Sequence, residues 1–163
     1  MKKLQGTIVF VVKDGKVLLA RKKLVLGIGK WNGYGGKLNV GVDKDFLDCA
    51  VREFSEESGR AAIKREDLEQ VALITFHNGD KFEFTCYIYI ASDLQGFPSE
   101  TDEMGEPSWF PVGAIPPKEE FMESDYFWVP RIFKGEKLSG DIWYDGEFHL
   151  TERGVELKIV DHF

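Results

Sequence analysis

The 163-residue chain is 43% apolar and 30% charged, a balance that excludes both a disordered segment and a membrane-embedded bundle. This length suits one compact core, so residues 1–163 are expected to form a single domain. Twenty-eight acidic residues against 21 basic ones leave a formal charge of −7, which repels a nucleic-acid backbone, so no stable nucleic-acid complex is expected.

Two β-rich runs, Thr7 to Val12 and Lys16 to Ala20, flank Asp14-Gly15, a dipeptide suited to positive φ, and predict a hairpin. The apolar run Ile8 to Val12 after Met1-Lys2-Lys3 is too short for a targeting segment, and no stretch is long enough to cross a bilayer. A cytoplasmic location without membrane contact follows as the expectation. Six glycines between positions 27 and 41 rule out a helix there and predict a structured loop or bent strand.

From Asp45 to Ser58 the spacing turns helical, with Phe46, Cys49, Ala50 and Phe54 as the apolar stripe, Asp45 as N-cap and Gly59 as the stop. Glu69 to Phe76 and Lys81 to Ala91 read as strands joined through His77-Asn78-Gly79-Asp80. Trp109-Phe110 form a short apolar element, a short helix is expected around 118 to 124, and a strand pair turns at Asp145-Gly146. The two cysteines, Cys49 and Cys86, lack metal-ligand spacing and read as buried, reduced packing residues. Strands around a central helix, with a later helical piece, predict an α/β fold in which a mixed sheet is covered on two sides.

The informative stretch is Arg52-Glu53-Phe54-Ser55-Glu56-Glu57-Ser58-Gly59. Residues three and four apart share a helix face, so Glu53, Glu56 and Glu57 gather three mutually repelling carboxylates. Glutamate is a good helix former, and alone the cluster would read as a solvated face. The preceding Gly35-Gly36-Lys37 changes the weighing, because that loop lies within reach of the helix. A compensating cation is then implied, and magnesium, a hard ion that shares carboxylates with water and phosphate oxygens, suits it; manganese is an alternative.

Gly36 together with Arg52 to Gly59 resembles the signature of the Nudix hydrolases. The resemblance implies an α/β/α sandwich with a mixed sheet, Glu53, Glu56 and Glu57 near the metal with the Gly35 carbonyl, and Arg52 orienting a glutamate by a salt bridge. Two departures stand out. Val42 lies where the family has a glutamate and the loop is two residues longer, leaving Asp43 or Lys44 to take over that carboxylate's structural role; Arg60 replaces an apolar residue.

The similarity extends over nearly the whole chain to the branch that hydrolyses oxidised purine nucleoside triphosphates. It rests on Trp31 to Lys37, Gln95-Gly96, Glu100 to Met104, Trp109-Phe110, Ile115-Pro116 and Tyr126 to Pro130. By that resemblance Asn32 reads the purine edge, Glu103 is a further carboxylate at the metal, Asp125 matches an aspartate of the base pocket, and Phe76 matches a pocket aromatic. Ser124 or Glu123 stands in place of a second aspartate, and Met122 or Phe121 in place of a stacking tryptophan.

Arg21, Lys22, Lys23 and Lys37 are phosphate-binding candidates, although at least two of the four read better as solvated strand ends. The implied reaction is metal-dependent hydrolysis of a purine nucleoside triphosphate such as 8-oxo-dGTP to the monophosphate and pyrophosphate. Glu53, Glu57 and Gly35 would hold metal, while Glu56 or Glu103 would support a second ion or accept the proton. A small-molecule nucleotide is the expected partner and a monomer the expected state. The alternatives are a Nudix enzyme acting on an RNA 5′ end or a nucleoside diphosphate sugar, and a ligand-sensing domain that has lost catalysis.

Overall fold

The structure is a computed structural model that describes residues 1–24 and 26–163. Strand β1 (Lys2–Lys13) turns at Asp14 and Gly15, with φ of 53° and 75°, into β2 (Lys16–Arg21). Positive φ at both turn residues matches the right-handed twist of the strands. The hairpin is paired only at its tip, Val12 with Val17 and Lys13 with Lys16. Beyond that the two strands splay. Strand β2 takes β3 (Trp31–Asn32) and β7 (Ser108–Pro111) as partners, while β1 pairs with β4 (Tyr34–Lys37) on one side and β6 (Phe82–Ala91) on the other.

Strand β6 runs parallel to β1 and antiparallel to β5 (Leu68–Asn78). Strand β5 is parallel to β8 (Leu138–Tyr144), which pairs antiparallel with β9 (Leu150–Ile159). The order β3-β2-β1-β6-β5-β8-β9 is a mixed sheet. Its alternation sorts side chains onto two cores. Val9, Val11, Tyr34 and Tyr89 point to one face, packed with Ala50 and Phe54 of helix α1 (Phe46–Glu57). Phe10, Ala72, Ile74 and Ile142 point to the other, packed with Phe121, Trp128, Val129 and Ile132.

Helix α1 begins where expected: the Asp45 side chain accepts the N–H of Asp48 at 2.8 Å, and Gly59 ends it with φ of 71°. The helix expected around 118 to 124 is not formed. A single 3₁₀ turn at Lys118–Glu120 stands there, and helix α2 comes later and shorter, at Val129–Phe133. Pro130 in its first turn is the reason: proline breaks a helix interior but is preorganised for a start. The second layer is thus mostly irregular chain anchored by Trp128 and Ile132. Cys49 and Cys86 are both buried free thiols, as the sequence suggests. Among the described residues no helix is long and apolar enough to cross a membrane.

Candidate active site

The glycines of β4 press directly on α1. A side chain at Gly36 would collide with the Glu53 carboxyl, and one at Gly35 would collide with the backbone of Thr7. The close approach lets the Gly35 N–H donate to Glu57 Oε1 at 2.7 Å. Glycine is required here for proximity.

Arg52 organises the acidic face. Its Nε and Nη2 hold both oxygens of Asp43 at 2.8 Å, and its Nη1 reaches Glu53 at 2.9 Å and Glu56 at 3.2 Å. Asp43 also accepts the N–H of Asn39 at 2.9 Å, and its side chain is 1% exposed. Arg52 holds the Asp43 carboxyl below the usual carboxylate range. Of the two candidates in the longer loop, Asp43 is therefore the carboxylate that binds the arginine, and Lys44 only donates its backbone N–H to Asp48.

The three helix glutamates differ in setting. Glu56 is the outer one, its side chain 57% exposed. Glu53 is half-covered, and burial raises its pKa against the pull of Arg52. Glu57 is buried, and burial pushes its carboxyl well above the ordinary range; Glu103 adds to that push, whereas the Gly35 N–H and the Lys22 charge oppose it. Glu103 is placed by Thr101, whose hydroxyl donates to the Glu57 carbonyl at 3.0 Å and accepts the N–H of Glu103 at 3.3 Å and of Met104 at 3.2 Å. Glu103 thus lies close enough for its charge to reach both Glu53 and Glu57.

The basic candidates part company. Lys22 bridges to Met104 and Ile28 and is the one whose charge reaches Glu57. Arg21 is taken up by the Gly29 carbonyl, by Glu120 and by the face of Trp31 at 4.4 Å. Lys23 binds Glu100 and the Thr101 carbonyl. The Lys37 side chain lines an open groove of about 400 Å³ with Lys3, Gln5 and Val40, apart from the clustered carboxylates. Only Lys22 of the four is brought into the field of the acidic face.

Asn32, on β3, accepts the N–H of Gly33 through Oδ1 at 2.8 Å. Phe76 meets Trp128 edge to face at 6.4 Å, in the core on the side away from α1. Asp125 lies on that same side, buried, accepting the Met122 N–H at 3.2 Å. Burial raises its carboxyl to about 7, against the opposing pull of that N–H and of the Trp128 indole. The indole N–H has no partner at hydrogen-bond geometry, so its influence on Asp125 is one of proximity. Ser124 is buried beside it, its Oγ accepting the Tyr144 hydroxyl at 2.5 Å.

The sequence alone does not single out Thr101, Tyr144 or Trp128 in these roles. For Thr101 and Trp128 the only signal is their place in the resembling stretches Glu100 to Met104 and Tyr126 to Pro130; for Tyr144 there is none, since its partner Ser124 lies 20 residues away.

Among the described residues no three His, Cys, Asp or Glu side chains already stand as a closed metal cage. The donors nonetheless fit a hard divalent ion. They are all oxygen, they include a buried carboxyl whose ionised form is disfavoured without a cation, and Arg52 and Gly35 fix their directions. A carboxylate helix braced by a glycine strand on a mixed sheet defines an enzyme that handles phosphate anhydrides with a divalent cation. The chain belongs to the Nudix family of hydrolases: the family model described as the NUDIX domain matches residues 2–131.

The chain is 33% identical over 151 residues to a Danio rerio protein named oxidized purine nucleoside triphosphate hydrolase, covering 92% of each chain. A Mus musculus protein of the same name is 33% identical over 158 residues, with 96% of each chain covered. In fold, the chain is similar to the crystal structure of a mutator MutT protein from Bacillus halodurans, at a TM-score of 0.73 and 21% identity over 96% of this chain and 97% of that one.

Proposed function

We propose that this hydrolase cleaves purine nucleoside triphosphates, oxidised purines such as 8-oxo-dGTP among them, to the monophosphate and pyrophosphate, and so clears damaged precursors. The proposal takes residues 1–163 as one domain acting as a cytoplasmic monomer, with magnesium as the cation and manganese as a substitute. The observation that carries the base specificity is Asp125: a buried carboxyl, its pKa raised by burial to about 7, near Trp128, which itself packs on Phe76. Such a group can donate as the acid or accept as the anion, which suits a base edge altered by oxidation. The two 33% identical relatives carry an oxidised-purine name.

A bound divalent cation supplies neutralisation of phosphate charge and acidifies a water. Glu53, Glu57 and the Gly35 carbonyl would hold it, with Glu56 or Glu103 at a second ion. Arg52 keeps Glu53 and Glu56 aimed, and Lys22 adds positive charge for the phosphates. Water attacks a phosphorus within the chain, the bridging P–O bond breaks, pyrophosphate leaves, and the proton passes to a carboxylate. Glu103 is better set for that proton than Glu56, since Glu56 is held by Arg52 at the outer rim. Asn32 is proposed at the purine edge, Phe76 along the base, and Lys37 at most at the outer phosphate path.

Pyrophosphate release with magnesium is the test, measured on 8-oxo-dGTP, 2-oxo-dATP, dGTP and a triphosphorylated RNA 5′ end. Oxidised purines are expected to give the highest kcat/KM, and turnover confined to RNA ends would refute the substrate assignment. Glu57→Gln is expected to lower kcat by at least about a hundredfold with an unchanged fold by circular dichroism. Wild-type turnover in that variant would remove Glu57 from the site.

A further inference from the structure

Glu123 precedes the buried pair Ser124 and Asp125 and commits both of its carboxylate oxygens to a hairpin more than twenty residues on. Oε2 accepts the Leu150 N–H at 2.9 Å, and Oε1 meets His149 Nδ1 at 3.2 Å. The His149 pair is exposed and contributes little by itself. The Leu150 contact is of another kind, because a charged acceptor on a fixed backbone N–H is among the stronger hydrogen bonds. The hairpin is shaped to present that N–H. Phe148 has φ of 63°, a left-handed conformation that a bulky residue keeps only where its surroundings compel it. Its ring packs on Tyr144 at 6.0 Å, and Asp145 Oδ1 closes the turn by accepting the N–H groups of Glu147 at 2.8 Å and His149 at 3.2 Å. The buried Asn78 pins the tip, accepting the Gly146 N–H at 3.1 Å. This braced hairpin holds the turn that carries Asp125, in which the Asp125 carboxyl accepts the Met122 N–H at 3.2 Å and the Asp125 N–H returns to the Met122 carbonyl at 3.0 Å.

We propose that Glu123 is a positioning residue for base selectivity: it fastens the turn 122–125 to the β8–β9 hairpin and so fixes where Asp125 stands. The inference rests on the reading of Asp125 as the carboxyl that meets the base. Tyr144 reaches Ser124 from the same hairpin, its hydroxyl accepting the Ser124 N–H at 3.2 Å. With that anchor alone the turn could pivot about Ser124; the grip on Glu123, one residue earlier, removes the pivot. A turn held in place before the nucleotide arrives does not have to be ordered by it, so the effect belongs to binding of the base and not to the chemistry at phosphorus.

Glu123→Ala is expected to raise KM for 8-oxo-dGTP about fivefold at an unchanged kcat, and to move the constants for dGTP far less. Glu123→Gln, whose amide oxygen still accepts the Leu150 N–H, should restore most of the selectivity, whereas Glu123→Asp, one methylene too short for the reach, should not. Amide hydrogen exchange gives a second reading that needs no substrate: in Glu123→Ala the Met122 and Asp125 N–H groups should exchange about tenfold faster than in wild type. A role confined to stability lowers Tm and leaves the ratio of kcat/KM for the two nucleotides unchanged; that result, or unaltered exchange at Met122, would overturn the proposal. If the wild type turns over both nucleotides equally well, the base-pocket reading fails instead, and exchange at Met122 still decides whether Glu123 holds the turn.

Discussion

At Asp125 the chain keeps a carboxyl where water is excluded, and the consequence can be read in stability against pH. Its folded pKa, about 7, lies above the unfolded value of 3.8 because burial disfavours the anion. The folded state therefore binds a proton that the unfolded state releases. The contribution to stability is full below about pH 4 and is lost as pH rises through about 7. The shift from 3.8 to about 7 corresponds to a total on the order of 4 kcal/mol. Asp125→Asn removes the titration, so the difference in Tm between variant and wild type should grow in the variant's favour from pH 4 to pH 8. A flat difference would show that the carboxyl is hydrated. Turnover of 8-oxo-dGTP by the same variant should follow kcat/KM and leave pyrophosphate chemistry on dGTP less affected, since Asp125 lies away from Glu53, Glu57 and Glu103.

Between the glycine strand and the acidic helix the linking element is the loop that carries Asp43. Its carboxylate, 1% exposed, grips Arg52 with two contacts of 2.8 Å, and Arg52 in turn aims Glu53. Arg52, 22% exposed, keeps Glu53 and Glu56 as partners when Asp43 is removed, so what is lost is a charge-assisted hydrogen-bond pair rather than the whole neutralisation of a buried charge. Asp43→Ala should therefore lower stability by about 1.5–3 kcal/mol, read as a shift in the urea midpoint. It should also cut kcat by about tenfold or more, through a misdirected Glu53. Lys44→Ala is the matched control and should change neither, because only the Lys44 backbone is engaged. Equal effects of the two would mean that the loop acts by its length and not by its carboxylate. This contact also marks where the sequence stopped being legible. The helix, its cap and its acidic face followed from spacing alone, because those contacts lie within four residues. The choice between Asp43 and Lys44 depended on how the loop folds back over nine residues to Arg52, which no periodicity reports. The late start of α2 escaped for a related reason: Pro130 suits a first helical turn only once its neighbours place it there.

For the molecule as a whole, the question is how far the functional unit extends beyond the family match, which ends at residue 131. Strand β8 continues the sheet in parallel with β5 over seven registered pairs, from Ala72 with Leu138 to Asn78 with Tyr144. Leu138, Ile142 and Tyr144 are buried against the same core as Trp128 and Ile132. Parallel strands derive their stability from cover on both faces, and removing β8 would expose β5 as an edge from Ala72 to Asn78. Fully burying each of the two aliphatic side chains contributes about 1.5–3 kcal/mol, so losing both with the strand hydrogen bonds takes away much of a typical margin of about 5–15 kcal/mol. The Tyr144 hydroxyl also holds Ser124 at 2.5 Å, next to Asp125, so the C-terminal strands brace the proposed base pocket as well as the sheet. A chain ending after Lys134 should consequently lose its cooperative thermal transition and precipitate or bind 1-anilinonaphthalene-8-sulfonate, although every residue of the acidic helix is present. Tyr144→Phe in the full chain is the gentler companion. It should keep Tm within a few degrees and keep dGTP turnover, while discrimination for 8-oxo-dGTP over dGTP falls several-fold, since one hydrogen bond contributes about 1 kcal/mol. A truncated chain that unfolds cooperatively would show that β8 and β9 are an appendage and that the functional unit ends near helix α2.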